Sequence, residues 1–262
     1  MAVHNILDSL KMVSPTANDL IVINGGEPCV HKDFYKIISE IQTRYSSEIA
    51  IYTNGTLLDI SNIHLNSNLF FIIPIHGEKQ IHDNITQIDG LYNKVINNLK
   101  HLNVAGFRYR MKFIINQKMI DSHFCIDKFL QQHNLCPEEI ILARLNETTK
   151  SKKNCVYIPN QTDIKDFISG QINSLGNSYS IKLLDIPLCF INSNIEIESY
   201  NGSIPIFYFN DMDHRMIQKE YFKDVMIGNS CCKCQYSNSC LIMKRSYLTL
   251  AIKNSVIRME RE

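Results

Sequence analysis

The sequence predicts an α/β fold built on a parallel sheet. Three observations carry that reading. Short, continuously apolar runs resemble strands buried on both faces, amphipathic helical stretches lie between them, and almost every strand end carries Gly, Asn or His. Polar, backbone-accessible residues therefore gather at one rim, where parallel α/β folds bind ligands.

Ile6, Leu7, Leu10 and Val13 predict a helix over 4–13. Residues 20–24 form an apolar run that stops at Gly25-Gly26, and Phe34, Ile37, Ile38, Ile41 and Tyr45 then mark an amphipathic helix. Residues 49–52 read as a second strand ended by Thr53-Asn54-Gly55, and 69–73 as a third running towards His76-Gly77. Tyr92, Val95, Ile96, Leu99 and Leu102 predict a helix that Gly106 stops. Phe107, Tyr109, Met111 and Phe113 alternate with Arg108, Arg110 and Lys112, a strand with one wet face. A helix over 121–133, a strand over 139–145, a helix around Ile164–Leu175 and a strand over 179–186 complete the body. Beyond it, Ile195–Ser199 and Ile204–Phe209 flank Asn201-Gly202, a hairpin signal. The expected division is an α/β body over 1–185 and a small cysteine-bearing appendage over 186–262.

The chain has 262 residues, 45% hydrophobic and 20% charged, which excludes a wholly disordered chain and a coiled coil. Its formal charge of +1 supplies no field to draw nucleic acid or anionic lipid. No apolar run reaches the ~20 residues of a membrane span, and the start lacks a signal-type core. The expected compartment is the cytosol, with no nucleic-acid or membrane partner.

Nine cysteines are many for a reducing compartment, where they point to metal, redox chemistry or small buried side chains. Cys29, Cys125, Cys136 and Cys155 are scattered and read as ordinary thiols. Cys231, Cys232, Cys234 and Cys240 crowd ten residues, with Cys189 upstream. Cys189, Cys231, Cys234 and Cys240 supply four thiolates, the ligand set of a closed [4Fe–4S] cluster or a structural zinc. Cys232 competes with Cys231, which is preferred for its two-residue gap to Cys234.

Gly25-Gly26-Glu27-Pro28 follows a buried strand. The glycines permit a sharp turn or close approach of a ligand to the backbone, and Glu27 offers a carboxylate to an ammonium or hydroxyl. Four residues alone do not separate a ligand loop from a plain strand-to-helix turn. In context they resemble the signature that radical S-adenosylmethionine (radical SAM) enzymes carry after their second barrel strand. The resemblance continues through Thr53-Asn54-Gly55, His76-Gly77, His82-Asp83, Ile85-Thr86, Gly90 and Tyr92, and on through residues 107–116. It covers about residues 4–145, in order and spacing.

That resemblance implies an incomplete parallel (β/α)6-type barrel. It places Gly25, Gly26, Glu27 and Pro28 at the methionine end of S-adenosylmethionine, with Glu27 beside its amine. Thr53, Asn54 and Gly55 would lie at the cofactor rim. Arg110 and Asn116 are secondary candidates for the cofactor's carboxylate or ribose, although a solvated strand-face charge explains Arg110 better. His76 and His82 are expected to order their loop. Pro187-Leu188-Cys189, Lys223 and Cys-x2-Cys-x5-Cys resemble the auxiliary iron–sulfur appendage (SPASM or Twitch type), although Leu241 replaces the usual glycine.

One departure stands against this. Radical SAM enzymes hold their catalytic [4Fe–4S] cluster with Cys-x3-Cys-x2-Cys, and these 262 residues contain no such run. An N-terminally truncated enzyme, a degenerate relative and one half of a split enzyme are the competing explanations. The missing first strand is expected to leave a barrel edge that a partner chain could cover. The expected function is a radical SAM-type protein resembling peptide- or cofactor-maturation enzymes, truncated and inactive as written. Its substrate would be a peptide or small-molecule precursor, its cofactors an auxiliary [4Fe–4S] cluster and S-adenosylmethionine, the latter weakly held or lost. The alternative is a cluster-less peptide- or partner-binding relative with a structural metal site.

Overall fold

The computed structural model describes residues 3–66, 68–145, 157–159, 161–184, 186, 206–210, 217–219 and 255–261. Six parallel strands follow one another in space as they do in sequence: β1 (Asp19–Ile23), β2 (Glu48–Tyr52), β3 (Leu69–Ile75), β4 (Arg108–Ile115), β5 (Glu139–Arg144) and β6 (Ser180–Leu184). Between them run α1 (Val3–Val13, before β1), α2 (Phe34–Arg44), α3 (Lys79–Thr86), α4 (Leu91–Val104), α5 (Gln117–Asp121), α6 (Ile126–His133) and α7 (Gln161–Leu175). The sheet curls into a half-barrel, the incomplete (β/α)6 architecture that the sequence predicts.

Successive side chains of a strand point to opposite faces, and the two faces here differ sharply. Ile21, Ile49, Phe71, Phe113 and Leu142 pack beneath the helices in the main core with Ile6, Ile38, Leu99 and Phe129. Val22, Ala50, Phe70, Ile72 and Ile141 form a second cluster on the opposite, concave face, and no buried helical residue joins it. Among the described residues, helices therefore cover one face only, leaving the concave face as a lumen. A doubly wound sheet would carry helices on both. β4 shows the division residue by residue, with Tyr109, Met111, Phe113 and Ile115 buried and Arg108, Arg110, Lys112 and Ile114 less so.

Two local differences have clear causes. Of the helix expected over 121–133, only α6 forms beyond Asp121, which ends α5, because the turn between them puts His123 at φ +52°. A left-handed residue cannot continue a right-handed helix. The outer edge of β1, expected to await a partner chain, pairs antiparallel with the chain's own β9 (Ser255–Arg261), with Ile21 opposite Met259 and Ile23 opposite Ile257. β7 (Ile206–Asn210) and β8 (Ile217–Lys219) continue the sheet from β9. The backbone groups that a missing strand would orphan thus find ladder partners within the chain. Among the described residues, no helix is long and apolar enough to cross a membrane.

Phe113 is fully buried and meets the rings of Phe124 and Phe129 at 6.0 and 5.8 Å. Phe113→Ala should cost about 3–5 kcal/mol in urea unfolding. Leu65→Ala, at a side chain 58% exposed, should change stability by less than about 0.5 kcal/mol.

Candidate functional site

The site begins where β1 ends. Gly25 and Gly26 are exposed, neither has a positive φ, and a Cβ at either would meet nothing within 4 Å. Neither backbone handedness nor packing against described residues demands glycine here. What glycine provides is open backbone at the strand mouth. Asn24 Oδ1 accepts the Gly25 N–H at 2.8 Å, holding the turn from within.

Glu27 points into the protein. Its Oε1 accepts from the Thr53 hydroxyl at 2.6 Å and the Cys29 N–H at 3.2 Å, and its Oε2 accepts the Asn54 N–H at 2.7 Å. The sequence presents this carboxylate as a ligand group at the mouth; the structure uses it as a clamp between the loops after β1 and β2. Adjacent parallel strands deliver the two loops side by side, and a carboxylate is the strongest available acceptor for donors there. Thr53 relays the contact by accepting the Gly55 N–H at 3.1 Å, while Asn54 Oδ1 accepts from Thr56. Gly55 has φ +75°, and a Cβ there would sit 3.1 Å from Ile73 Cγ2, so this glycine is required by both conformation and space. Its carbonyl accepts from Asn98 of α4 at 2.6 Å, a support that the sequence pattern did not mark. Pro28 is buried and opens the 3-10 turn Pro28–Val30.

The cysteines in view do not form a metal centre. The Cys29 thiol lies 3.6 Å from Thr53 Oγ1, and burial pushes its pKa up to about 12, with neighbouring Glu27 adding to the shift. Cys125 caps α6, and Cys136 is exposed ahead of β5. Among the described residues, no three His, Cys, Asp or Glu side chains gather to hold a metal. Cys155, Cys189, Cys231, Cys232, Cys234 and Cys240 lie outside the described residues, as does the expected hairpin at Asn201-Gly202.

The loop after β3 is built by the polar residues expected to order it. His82 is buried, and its Nδ1 accepts the His76 N–H at 3.3 Å. Asp83 accepts from the N–H groups of Gly90 and Tyr92 at 3.0 and 2.8 Å, fixing the start of α4. Asn116, 1% exposed, donates to the His76 carbonyl at 2.8 Å and accepts the Met119 N–H at 3.0 Å. Its amide joins the ends of β3 and β4 and starts α5. Burial, then the nearby His82 and Lys112, push the His76 imidazole down to about 4.

The lumen wall carries charge. Arg108 donates to Glu48 at 2.8 Å and, through Nε and Nη2, to both oxygens of Glu138 at 3.0 and 2.6 Å. Burial works against Glu138, yet Arg108, with Arg110 and Lys182 beyond it, holds that carboxyl below its usual range. Lys182 Nζ lies 3.0 Å from Glu139 Oε2, and Lys112 sits 5.9 Å from the Tyr52 ring centroid. Arg110 is not the solvated strand-face charge that the sequence favoured. Its side chain is 16% exposed, lies 3.9 Å over the Phe70 ring and faces Glu139 at 3.5 Å.

Two measurements probe this geometry. Glu27→Ala should lower stability by about 1–3 kcal/mol and speed hydrogen exchange at the Asn54 amide, and Glu27→Gln should cost less because an acceptor remains. A group held below its ordinary pKa binds its proton less readily folded than unfolded. His76 therefore contributes stability fully above pH 6.5, and that contribution drains as pH falls towards 4. Melting temperature should decline across that window, and less steeply in His76→Gln.

No protein-family profile matches the chain. It is 24% identical over 234 residues to a cysteine-type anaerobic sulfatase-maturating enzyme of Clostridium novyi, covering 82% of this chain and 53% of that protein. It is 29% identical over 144 residues to a probable GTP 3′,8-cyclase of Sulfurisphaera tokodaii, covering 52% of this chain and 44% of that one. The chain thus spans about half the length of the curated relatives it matches. Among solved structures, anSMEcpe with bound AdoMet and Kp18Cys peptide superposes with a TM-score of 0.62 at 15% identity, over 91% of this chain and 78% of the other. Streptococcus suis SuiB bound to S-adenosylmethionine gives 0.54 at 12% identity, over 70% and 42%. The similarity in sequence and the shared half-barrel together support the resemblance of this chain to radical SAM enzymes.

Proposed function

We propose that the chain is the S-adenosylmethionine-binding barrel of a radical SAM protein of the peptide- or cofactor-maturing kind. Gly25, Gly26, Glu27 and Pro28, with Thr53, Asn54 and Gly55, would form the cofactor rim. The observation that carries this is the joined rim itself, in which the Glu27 carboxylate locks the two loops while Gly25-Gly26 remains open. The residues fit a ligand that is read through backbone groups and needs its walls held still. Glu27 would act chiefly as a positioning residue, with its remaining lone pairs available to the cofactor's amine. Radical SAM chemistry uses the bound cofactor as the source of a 5′-deoxyadenosyl radical. The described residues do not fit the catalytic cluster, because no three thiolates converge, and no cleavage step is assigned to them.

The relatives set the substrate class to be tried first. One curated relative is a sulfatase-maturating enzyme, and a structural neighbour holds a peptide, so a peptide precursor is the proposed substrate here. Residues 186–262 are proposed as a SPASM- or Twitch-like appendage whose Cys189, Cys231, Cys234 and Cys240 hold an auxiliary [4Fe–4S] cluster. The cytosol is the proposed location.

Calorimetric titration with S-adenosylmethionine should show binding that Gly26→Val weakens at least about tenfold, since a branched side chain would fill the open mouth. Equal affinity in the variant would remove the rim from the cofactor site. Anaerobic reconstitution should load about four irons on the chain, and the Cys189→Ala, Cys234→Ala double variant should lose them. These 262 residues alone should form no 5′-deoxyadenosine with dithionite and S-adenosylmethionine. Turnover above the double variant would show a catalytic cluster.

A further inference from the structure

Arg110 is a guanidinium held in place without its donors being used. Its five N–H groups make no hydrogen bond among the described residues, and Nε is buried with no partner. The nearest carboxylate oxygens stand at 3.5 Å (Glu139) and 3.9 Å (Glu138), too far for good charge-assisted bonds. Both neighbours also hold a second cation, and Glu139 Oε1, the oxygen that faces Arg110, is buried without a hydrogen bond of its own. Glu138 takes two hydrogen bonds from Arg108, and Glu139 meets Lys182 at 3.0 Å. The face of the Phe70 ring fixes the guanidinium plane at 3.9 Å. Such a side chain is preorganised, since stacking holds the fork while the hydrogen-bonding capacity stays unspent.

Its surroundings favour an anion. Among the described residues, the lumen charges named above are four cations and three carboxylates, and Arg110 is the least exposed of the arginines and lysines whose ion pairs are given. Apart from Glu48 at the start of β2, the cluster is built on β4, β6 and the start of β5, whereas the open Gly25-Gly26 backbone and the Glu27 clamp belong to the loops that follow β1 and β2. Two different walls of one half-barrel thus carry the two sites.

We propose that Arg110 is a specificity-determining residue that receives a carboxylate of the substrate in the lumen, so that the barrel selects precursors with an acidic side chain beside the modified position. This rests on the reading of the barrel as a substrate-modifying one. The planar fork suits a bidentate carboxylate, and the buried, unpaired Nε supplies one of its two parallel donors.

The test is a titration of the whole chain followed by the Arg110 Nε–H resonance in proton–nitrogen correlation spectra. The probes are acetyl-Gly-Glu-Gly-amide, its Gln counterpart and S-adenosylmethionine, added separately. The Glu peptide should shift the Arg110 signal and bind about tenfold or more tightly than the Gln peptide. Arg110→Gln should abolish that preference, and Arg110→Lys should retain part of it, a charge without a fork. Equal binding of the two peptides, or no movement of the Arg110 signal with either, would overturn the proposal and leave the network structural. A shift caused by S-adenosylmethionine that also blocks the Glu peptide would overturn it by giving the guanidinium to the cofactor. Cofactor binding that persists without any effect of the acidic peptide would sink this inference alone, whereas loss of cofactor binding would sink the function proposed for the rim.

Discussion

The two-residue period of the strands, combined with helices on one side only, is the constraint on which the site depends. Along β4 it sends Tyr109, Met111, Phe113 and Ile115 under the helices and Arg108, Arg110 and Lys112 to the lumen. A register slip of one residue would exchange the two sets, burying three cations in an apolar core at prohibitive cost. The main core thus does more than stabilise the chain. By fixing which residues face the helices, it determines which charges face the lumen.

The rim shows how a weak sequence signal becomes a defined structure. Gly25-Gly26 and Thr53-Asn54-Gly55 are separated by more than twenty residues, yet parallel pairing of β1 and β2 sets their loops against one another. Glu27 then satisfies the hydroxyl of Thr53 and the N–H of Asn54 at once. The same logic operates after β3, where His82, Asp83 and Asn116 use their polar atoms on backbone groups of neighbouring elements. Much of the polar inventory at the rim therefore serves to hold loops still, and the open surface left for a ligand is largely backbone.

How much of this was legible beforehand depends on the kind of residue. Apolar periodicity located every parallel strand and most helices, because burial imposes its period on local sequence. The α5–α6 break was not legible, since nothing in the local pattern marks His123 as left-handed. Nor was β9, which pairs with β1 across more than two hundred residues and owes its position to an unpaired edge. Arg110 read as a solvated charge because alternation with apolar residues marks a wet face, and in a curled sheet that face encloses a lumen.

The sequence by itself determined the α/β class, the order of the parallel strands, the glycine-bearing strand ends and the resemblance to radical SAM enzymes, because each is written in residues close together in the chain. Tertiary structure alone decided what the polar groups do. Glu27 became a clamp, Asn116 a brace and Arg110 a stacked, unspent guanidinium because their partners come from other strands. Hydrogen bonds and ion pairs depend on distance in space, and that distance is set by sheet curvature and pairing.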